Sequence, residues 1–140
     1  MGTTDALVKF RPSKLVTVGT ISGTTVLDGL NVADFGNGVL EYVKGKPGLH
    51  LLLNFEHITY MSSAGLTELL RINEALQASR GSIRLCNLSC DIRKVFKITN
   101  LDQMFAIHED ENLGSAVQRY ERSLTVAADE DAWAGQDTGA

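Results

Sequence analysis

The sequence predicts an α/β domain with a central, mostly parallel sheet of four to five strands flanked by about four helices. Apolar and β-branched runs alternate along the chain with segments of helical periodicity, and Gly or Pro turns separate them. The most apolar run, Leu49–Phe55, follows such a turn and is typical of a central strand buried on both faces. At 140 residues the chain is long enough for one domain with its own core.

Five segments have the composition of strands. Alternating small and β-branched residues mark Lys14–Ile21, which lies between Pro12 and the Ser22-Gly23 turn, and a shorter run before it can pair with it at the edge. In chain order the predicted strands are Ala6–Phe10, Lys14–Ile21, Leu49–Phe55, Ile83–Leu88 and Met104–His108.

Four segments have the apolar spacing of helices, and each follows a residue type that favours a helix start. The second helix shows this best, because leucines recur at helical spacing from Leu66 to Leu76. Asn100 is expected to end the third helix in a left-handed conformation. The predicted starts, in order, are Asp28 or Asn31, Ser62 or Ser63, Ser89, and Asp110.

The composition narrows the class of function. A formal net charge of −4 argues against a general nucleic-acid binder, which needs a basic face. No apolar run reaches the roughly 20 residues that cross a membrane. The segment MGTTDALVKF lacks the features of a secretory signal, so we expect a cytoplasmic protein with Cys86 and Cys90 reduced. Residues 1–122 are predicted to form one domain, and residues 123–140 a flexible acidic tail.

Signatures of enzymes and of metal sites are missing from the sequence. It contains no phosphate-binding loop, no dinucleotide fingerprint and no nucleophile elbow. Cys86 and Cys90 have no second pair of ligands, so neither a metal nor another cofactor is predicted. The three histidines are far apart in sequence, and only His57 lies near a candidate site.

That candidate site is the segment Tyr60–Leu66, which joins the central strand to the second helix. Ser62 and Ser63 place hydroxyl groups at the helix start, and the small residues Ala64 and Gly65 leave the backbone open to approach. A helix N-terminus also favours an anion, so a phosphoryl group would be tolerated there. Capping of the helix by serine, without regulation, is the other interpretation of this segment.

Two blocks of sequence resemble the STAS domain family, which includes the anti-sigma factor antagonists and the cytoplasmic ends of sulphate transporters. The first is LLLNFEHITYMSSAGLTELLRINEAL, where the family typically has Asp-Ser-Ser/Thr-Gly-Leu at the start of a leucine-rich helix. The second is SCDIRKVFKITNLDQMF, and GSIRLCNL lies between them as the expected strand. The resemblance extends from about Leu49 to Val117, and weakly back to Lys14.

The resemblance implies a function in partner switching, without enzymatic activity. Ser63 matches the serine that is phosphorylated in the antagonists, and Ser62, which stands where Asp is usual, is a second candidate acceptor. The implied partners are a serine kinase of the histidine-kinase-like ATPase fold, which can itself be the anti-sigma factor, and a metal-dependent serine phosphatase. A homodimer is left open. The predicted partner surface comprises Ser22, Gly23, Thr24, Thr25, Tyr60, Met61, Ser62, Ser63, Ala64, Gly65 and Leu66.

Two departures from the family pattern keep another function open. Ser22–Thr25 stands where antagonists often carry Gly-Glu-Leu/Ile-Asp, and Ser62 stands where Asp is usual. These departures favour an interaction or scaffold domain without a phosphoswitch. A small enzyme with Ser63 as nucleophile is a third hypothesis, and it would need a base such as His57.

Overall fold

The computed structural model describes residues 7–109 and 112–138, with the side chains of 7–109 and 112–126. The strands of the main sheet are β1 Val8–Pro12, β2 Thr17–Ile21, β4 His50–Asn54, β6 Ser82–Cys86 and β7 Ala106–His108, and two further short strands are β3 Val26–Leu27 and β5 Tyr60–Met61. The helices are α1 Val32–Val43, α2 Ser63–Ala78, α3 Cys90–Ile98 and α4 Leu113–Thr138.

The main sheet has the order β1-β2-β4-β6-β7. Only β1 is antiparallel to its neighbour, and the other pairs are parallel. The apolar run predicted as a central strand supplies β4, in which Leu51, Leu52 and Leu53 are fully buried. The predicted α/β fold, with five strands, mostly parallel, and four helices, is therefore confirmed.

The two faces of the sheet carry different cores. Successive side chains of a strand point to opposite faces, so Leu51 and Leu53 lie on one face and Leu52 on the other. The larger core joins Leu51 and Leu53 to residues of α1, α2 and α3, and includes Phe35, Leu69 and Phe96. The smaller core lies under α4. Among the described residues it consists of Val16, Leu52, Cys86, Ala116 and Tyr120, with Leu113, Val117 and Leu124 packed against it.

The helix starts agree with the predictions in part. Ser89 caps α3, because its hydroxyl accepts a hydrogen bond from Ile92 N at 3.2 Å, and Asn100 has the left-handed φ of 61° that was expected. Asn31 precedes α1, but its side chain bonds to the loop before it instead of to the helix. Asp110 lies outside the described residues, and Asn112 caps α4 by accepting from Ser115 N at 2.8 Å.

Helix α4 extends into the segment predicted as a C-terminal tail. Helix α4 continues through the predicted boundary at residue 122 as far as Thr138. Alanine has the highest helix propensity, and the sequence AADEDAWA that follows Val126 contains four alanines, which favours continuation of the helix. The division of the chain into a domain and a tail stays a prediction.

Candidate functional site

Ser63 is the first residue of α2 and its side chain is exposed. The strand β5 ends at Met61, so a single residue, Ser62, makes the turn from strand to helix. Ser62 has extended backbone angles, with φ −78° and ψ 171°, as expected of a residue that precedes a helix. This tight connection fixes the position of Ser63 relative to the strand.

A short parallel sheet brings the two predicted partner segments together. Leu27 of β3 pairs with Met61 of β5, and Ser62 N donates to Leu27 O at 2.8 Å. At the other end of this sheet, Thr59 N donates to Thr25 O at 2.7 Å. The loop Ser22–Thr25 therefore lies directly beside the strand that leads to Ser63. We call the loop Ser22–Thr25 together with the segment Tyr60–Leu66 the Ser63 surface.

The residues of the Ser63 surface differ in exposure. Gly23, Thr25, Tyr60 and Ser63 are exposed, and Tyr60 has 54% of its surface accessible. Ser22, Thr24, Ser62 and Ala64 are half-buried. Met61, Gly65 and Leu66 are buried, so these three residues support the surface from beneath and contribute little contact area.

Gly65 is required by the packing beneath Ser63. A Cβ atom at this position would overlap the Met61 side chain, including its Sδ atom at 2.9 Å, and would lie 3.7 Å from Leu27 O. The absence of a side chain at Gly65 thus lets β5 and β3 approach the first turn of α2. Gly65 therefore serves internal packing, whereas the sequence pattern predicted that it leaves the backbone open to approach from outside.

The Ser22–Thr25 loop is fixed by Asn31. The Asn31 side-chain amide donates to Val26 O at 2.8 Å and to the Thr24 hydroxyl at 3.3 Å. Leu30 directly precedes Asn31 in the turn between β3 and α1, and it is 94% exposed. Sequence analysis missed Leu30, although an apolar residue between Gly29 and Asn31, in a turn, was a visible signal.

The hydroxyls of Ser62 and Ser63 do not cap α2. The Ser62 Oγ atom is buried and has no hydrogen-bond partner among the described residues, and no side-chain cap is formed. Ser89 provides the contrast, since it occupies the same position before α3 and its hydroxyl does cap that helix. The interpretation of the Ser62-Ser63 pair as a side-chain cap is therefore wrong.

The first turn of α2 has free hydrogen-bond donors. Gly65 N and Leu66 N both donate to Ser62 O, at 2.9 and 3.3 Å. For the N–H groups of Ser63 and Ala64, no acceptor is found within the part of the chain that the structure describes. Together with the helix dipole, these donors favour an anion beside the Ser63 hydroxyl.

A model of the STAS domain family matches residues 13–116, which is most of the chain. The chain belongs to the STAS domain family. An anti-sigma-factor antagonist (STAS) domain protein from Planctomyces limnophilus superposes with a TM-score of 0.68 at 18% identity, over 74% of this chain and 91% of that protein. The match confirms the family that the two sequence blocks resemble.

Two states of one antagonist are also similar. The anti-sigma factor antagonist SpoIIAA in its unphosphorylated form has a TM-score of 0.67 at 22% identity, covering 81% of this chain and 96% of its own. The Bacillus cell fate determinant SpoIIAA in the phosphorylated form has a TM-score of 0.62 at 22% identity, covering 81% and 98%. At these identities the likeness establishes the anti-sigma factor antagonist fold.

No catalytic base contacts Ser63 in the described part of this STAS domain. His57 is exposed on the turn before β5 and forms no hydrogen bond to the serine. The Thr67 hydroxyl donates to the Ser63 carbonyl oxygen at 3.2 Å and not to the Ser63 hydroxyl.

Within residues 7–109 and 112–138, no three His, Cys, Asp or Glu side chains are grouped as a metal site. None of the helices in these ranges is long and apolar enough to span a membrane.

The other two histidines of the STAS domain lie under α4, on the opposite face of the sheet. His50 Nδ1 is 2.7 Å from the Ser82 hydroxyl, which bonds in turn to the Tyr120 hydroxyl. Arg84 lies over the Tyr120 ring at 4.5 Å, and its guanidinium is 3.3 Å from His108 Nε2. This polar cluster could not be predicted from local sequence patterns, because His50 and His108 are 58 residues apart.

Burial perturbs the acid–base behaviour of this cluster. Desolvation lowers the pKa of His50, since its charged form is disfavoured away from water. Burial raises the pKa of Tyr120, and the hydrogen bond from Ser82 and the charge of Arg84 oppose this only in part. Both shifts favour the neutral form of the side chain, while Arg84 remains the charged group of the cluster.

Proposed function

We propose that this STAS domain is a partner-switching protein of the anti-sigma factor antagonist type, without enzymatic activity of its own. Unphosphorylated, it binds a serine kinase of the histidine-kinase-like ATPase fold that also serves as anti-sigma factor. Phosphorylation of Ser63 releases it, and a metal-dependent serine phosphatase restores binding. The observation that carries this proposal is the exposed Ser63 hydroxyl at the N-terminus of α2, beside the Ser22–Thr25 loop.

The geometry favours Ser63 over Ser62 as the acceptor. A kinase must reach the hydroxyl, and the Ser62 Oγ atom is buried whereas the Ser63 side chain is exposed. A phosphoryl group on Ser63 would lie beside the free N–H groups of the first turn. The modification can therefore be accepted without unfolding α2.

The same modification would change the Ser63 surface strongly. Tyr60 of the Ser63 surface and Leu30 in the turn after β3 both expose apolar area, and such area is suited to a partner's apolar contacts. A phosphoryl group adds roughly −1.5 to −2 charges near neutral pH, together with bulk. Docking would then require desolvation of that charge, which gives a physical reason for release.

The test is a pull-down from lysate of the source organism with Ser63→Ala and Ser63→Glu baits, read by mass spectrometry. We expect the Ala bait to recover a kinase of the stated fold and the Glu bait to lose it. Ser115→Glu is the matched control, because Ser115 is an exposed serine in the first turn of α4 on the other face. The control bait should recover the same partner as the unchanged protein.

The alternative is an interaction or scaffold domain without a phosphoswitch. It is favoured by the Ser22–Thr25 sequence, which departs from the antagonist pattern, and by Ser62 in place of the usual Asp. Equal recovery of the same partners by the Ala and Glu baits would select this alternative. Phosphopeptide mapping of the native protein would then be expected to show no modification at Ser63.

A further inference from the structure

Helix α4 covers its face of the sheet incompletely. Between α4 and the β1–β2 hairpin lies an open cleft of about 940 Å³. Its apolar lining includes Val18 of the sheet and the half-buried Leu113 and Val117 of α4. Its rim carries three basic side chains, Lys9, Arg11 and Lys14.

The charge of this cleft is largely uncompensated. Among the described residues, Lys9, Arg11 and Lys14 take part in none of the ion pairs. The one carboxylate of the lining, Glu121, accepts a hydrogen bond from Leu15 N at 3.0 Å and can offset only one of these three positive charges, so the lining is net positive. An occupant that combines several negative charges with apolar area would suit both the rim and the walls.

The chain contains one segment of that composition. Residues 127–140 include Asp129, Glu130, Asp131 and Asp137 but no basic residue, and they contain Trp133, the only tryptophan. Helix α4 carries most of this segment as a continuation of the part that packs on the sheet. At 1.5 Å per residue, the stretch from Val126 to Thr138 extends by roughly 20 Å.

The direction of α4 prevents this segment from reaching its own cleft. The cleft lies beside residues 113–121 of α4. Glu121 contacts Leu15, which precedes the first residue of β2, so this end of the cleft lies at the start of that strand. The helix continues from there away from the cleft, and Val126 is already 49% exposed. Filling the cleft of the same chain would require the helix to break and reverse.

We propose that the cleft of one chain is filled by residues 127–138 of a second copy, in a two-fold symmetric dimer with antiparallel α4 helices. In this arrangement each α4 extension lies beside the partner copy's 113–121 segment. The acidic residues face Lys9, Arg11 and Lys14, and Trp133 packs against the apolar walls. The contact is reciprocal, as a two-fold interface requires. It lies on the face opposite Ser63, so it is independent of the proposed phosphoswitch.

The first test is the oligomeric state of the full-length chain by sedimentation equilibrium at 1 to 100 μM (roughly the range that separates weak from stable dimers). We expect a dimer for the unchanged protein. Lys9→Glu with Arg11→Glu, and separately Asp129→Lys with Glu130→Lys, should each shift the protein to monomer. Mixing the two variants should produce a heterodimer. The acidic segment of the first variant then meets the basic cleft of the second, and the lysines of the second variant's segment meet the acidic cleft of the first.

Trp133 supplies a second readout within the same molecule. Its fluorescence should shift to shorter wavelength as protein concentration rises, and 0.5 M NaCl should weaken the shift through screening. A monomer at 100 μM, or a dimer that persists in both charge variants, would overturn the proposal. A fluorescence shift independent of concentration would also overturn it, since that result indicates docking within one chain. Ser63→Glu is the control and should leave the dimer unchanged.

Discussion

The two faces of the sheet are built in different ways. One face is closed by three helices over a continuous apolar core, and the Ser63 surface lies on it at the start of α2. The other face is covered by α4 alone, and beneath that helix polar side chains replace part of the core. The first face therefore offers a rigid support for a small exposed site. The second leaves a basic cleft and a helix that extends past the sheet.

The two faces should therefore contribute to the free energy of unfolding in different ways. Apolar burial is non-directional and grows with area, so the closed face should contribute most of the free energy of unfolding. A polar cluster contributes only if its hydrogen bonds are kept, so the α4 face should be more sensitive to single polar atoms and to pH. The predictions below compare the two faces, starting with the largest expected effect.

Leu69→Ala on the closed face should cost about 2–5 kcal/mol, because Leu69 is fully buried and its loss leaves a cavity. The matched change on the other face is Leu124→Ala, which removes the same atoms from a half-buried position. We expect a clearly smaller loss there. Urea unfolding followed by circular dichroism measures both, and equal losses would contradict the assigned difference between the faces.

Gly65→Ala should destabilise the protein by about 1–3 kcal/mol, because the added Cβ overlaps the Met61 side chain and forces it from its position. Gly38→Ala is the control within α1. No atom lies within 4 Å of a Cβ added there, and the change should stabilise by up to about 1 kcal/mol through helix propensity. Thermal unfolding of both variants gives the test, and a neutral Gly65→Ala would show that the packing beneath Ser63 is loose.

Tyr120→Phe on the α4 face should cost about 1 kcal/mol, since it removes the hydroxyl that bonds to Ser82 and leaves the ring in place. The ring contact with Arg84 at 4.5 Å is retained. Tyr42→Phe is the matched control, because Tyr42 also stacks through its ring, on Phe10, and is half-buried. Denaturant unfolding should show no comparable loss for Tyr42→Phe.

His50 should make stability depend on pH in the acid range, and this is the smallest of the four effects. Its folded-state pKa is lowered by burial, so the unfolded chain binds a proton more readily. This contribution is fully present above the unfolded pKa of about 6.5 and is lost as pH falls through the lowered folded value. The hydrogen-bonded cluster around His50 contains the Ser82 and Tyr120 hydroxyls and the Arg84 cation, which disfavours a second positive charge on His50.

The measurement is the midpoint of unfolding between pH 5 and pH 8 for the unchanged protein and for His50→Gln. We expect the decline toward low pH to become shallower in the variant. His57→Gln serves as control, because His57 is exposed and should not affect the profile. An identical profile for His50→Gln and the unchanged protein would remove His50 as the source.

Much of the fold could be predicted from local patterns. The apolar run at Leu49–Phe55 identified the central strand, and the leucine spacing after Ser63 identified α2. Both signals are strong because burial acts on every residue of a short strand or on every third or fourth residue of a helix. The caps at Ser89 and the left-handed Asn100 were also predicted, since each depends on one residue type in one position.

Contacts between distant segments could not be predicted in the same way. The pairing of β3 with β5 involves two residues on each side, which is too short for any periodicity, yet it brings Thr25 beside Thr59. The cluster of His50 and His108 arises because α4 carries Tyr120 across the sheet between them. Helix α4 itself continues further than apolar periodicity indicated, because alanine supports a helix without any buried face.

The outer strand β1 limits how this protein can aggregate. An unpaired strand edge normally invites a further strand from another chain, but β1 carries Lys9, Arg11 and the terminal Pro12. Charges on such an edge repel a matching strand, and proline removes a donor from the ladder. At the opposite edge β7 has three residues, too few to template a long ladder. At high concentration the folded chain should therefore resist fibril growth, and specific association is directed to its helices and loops.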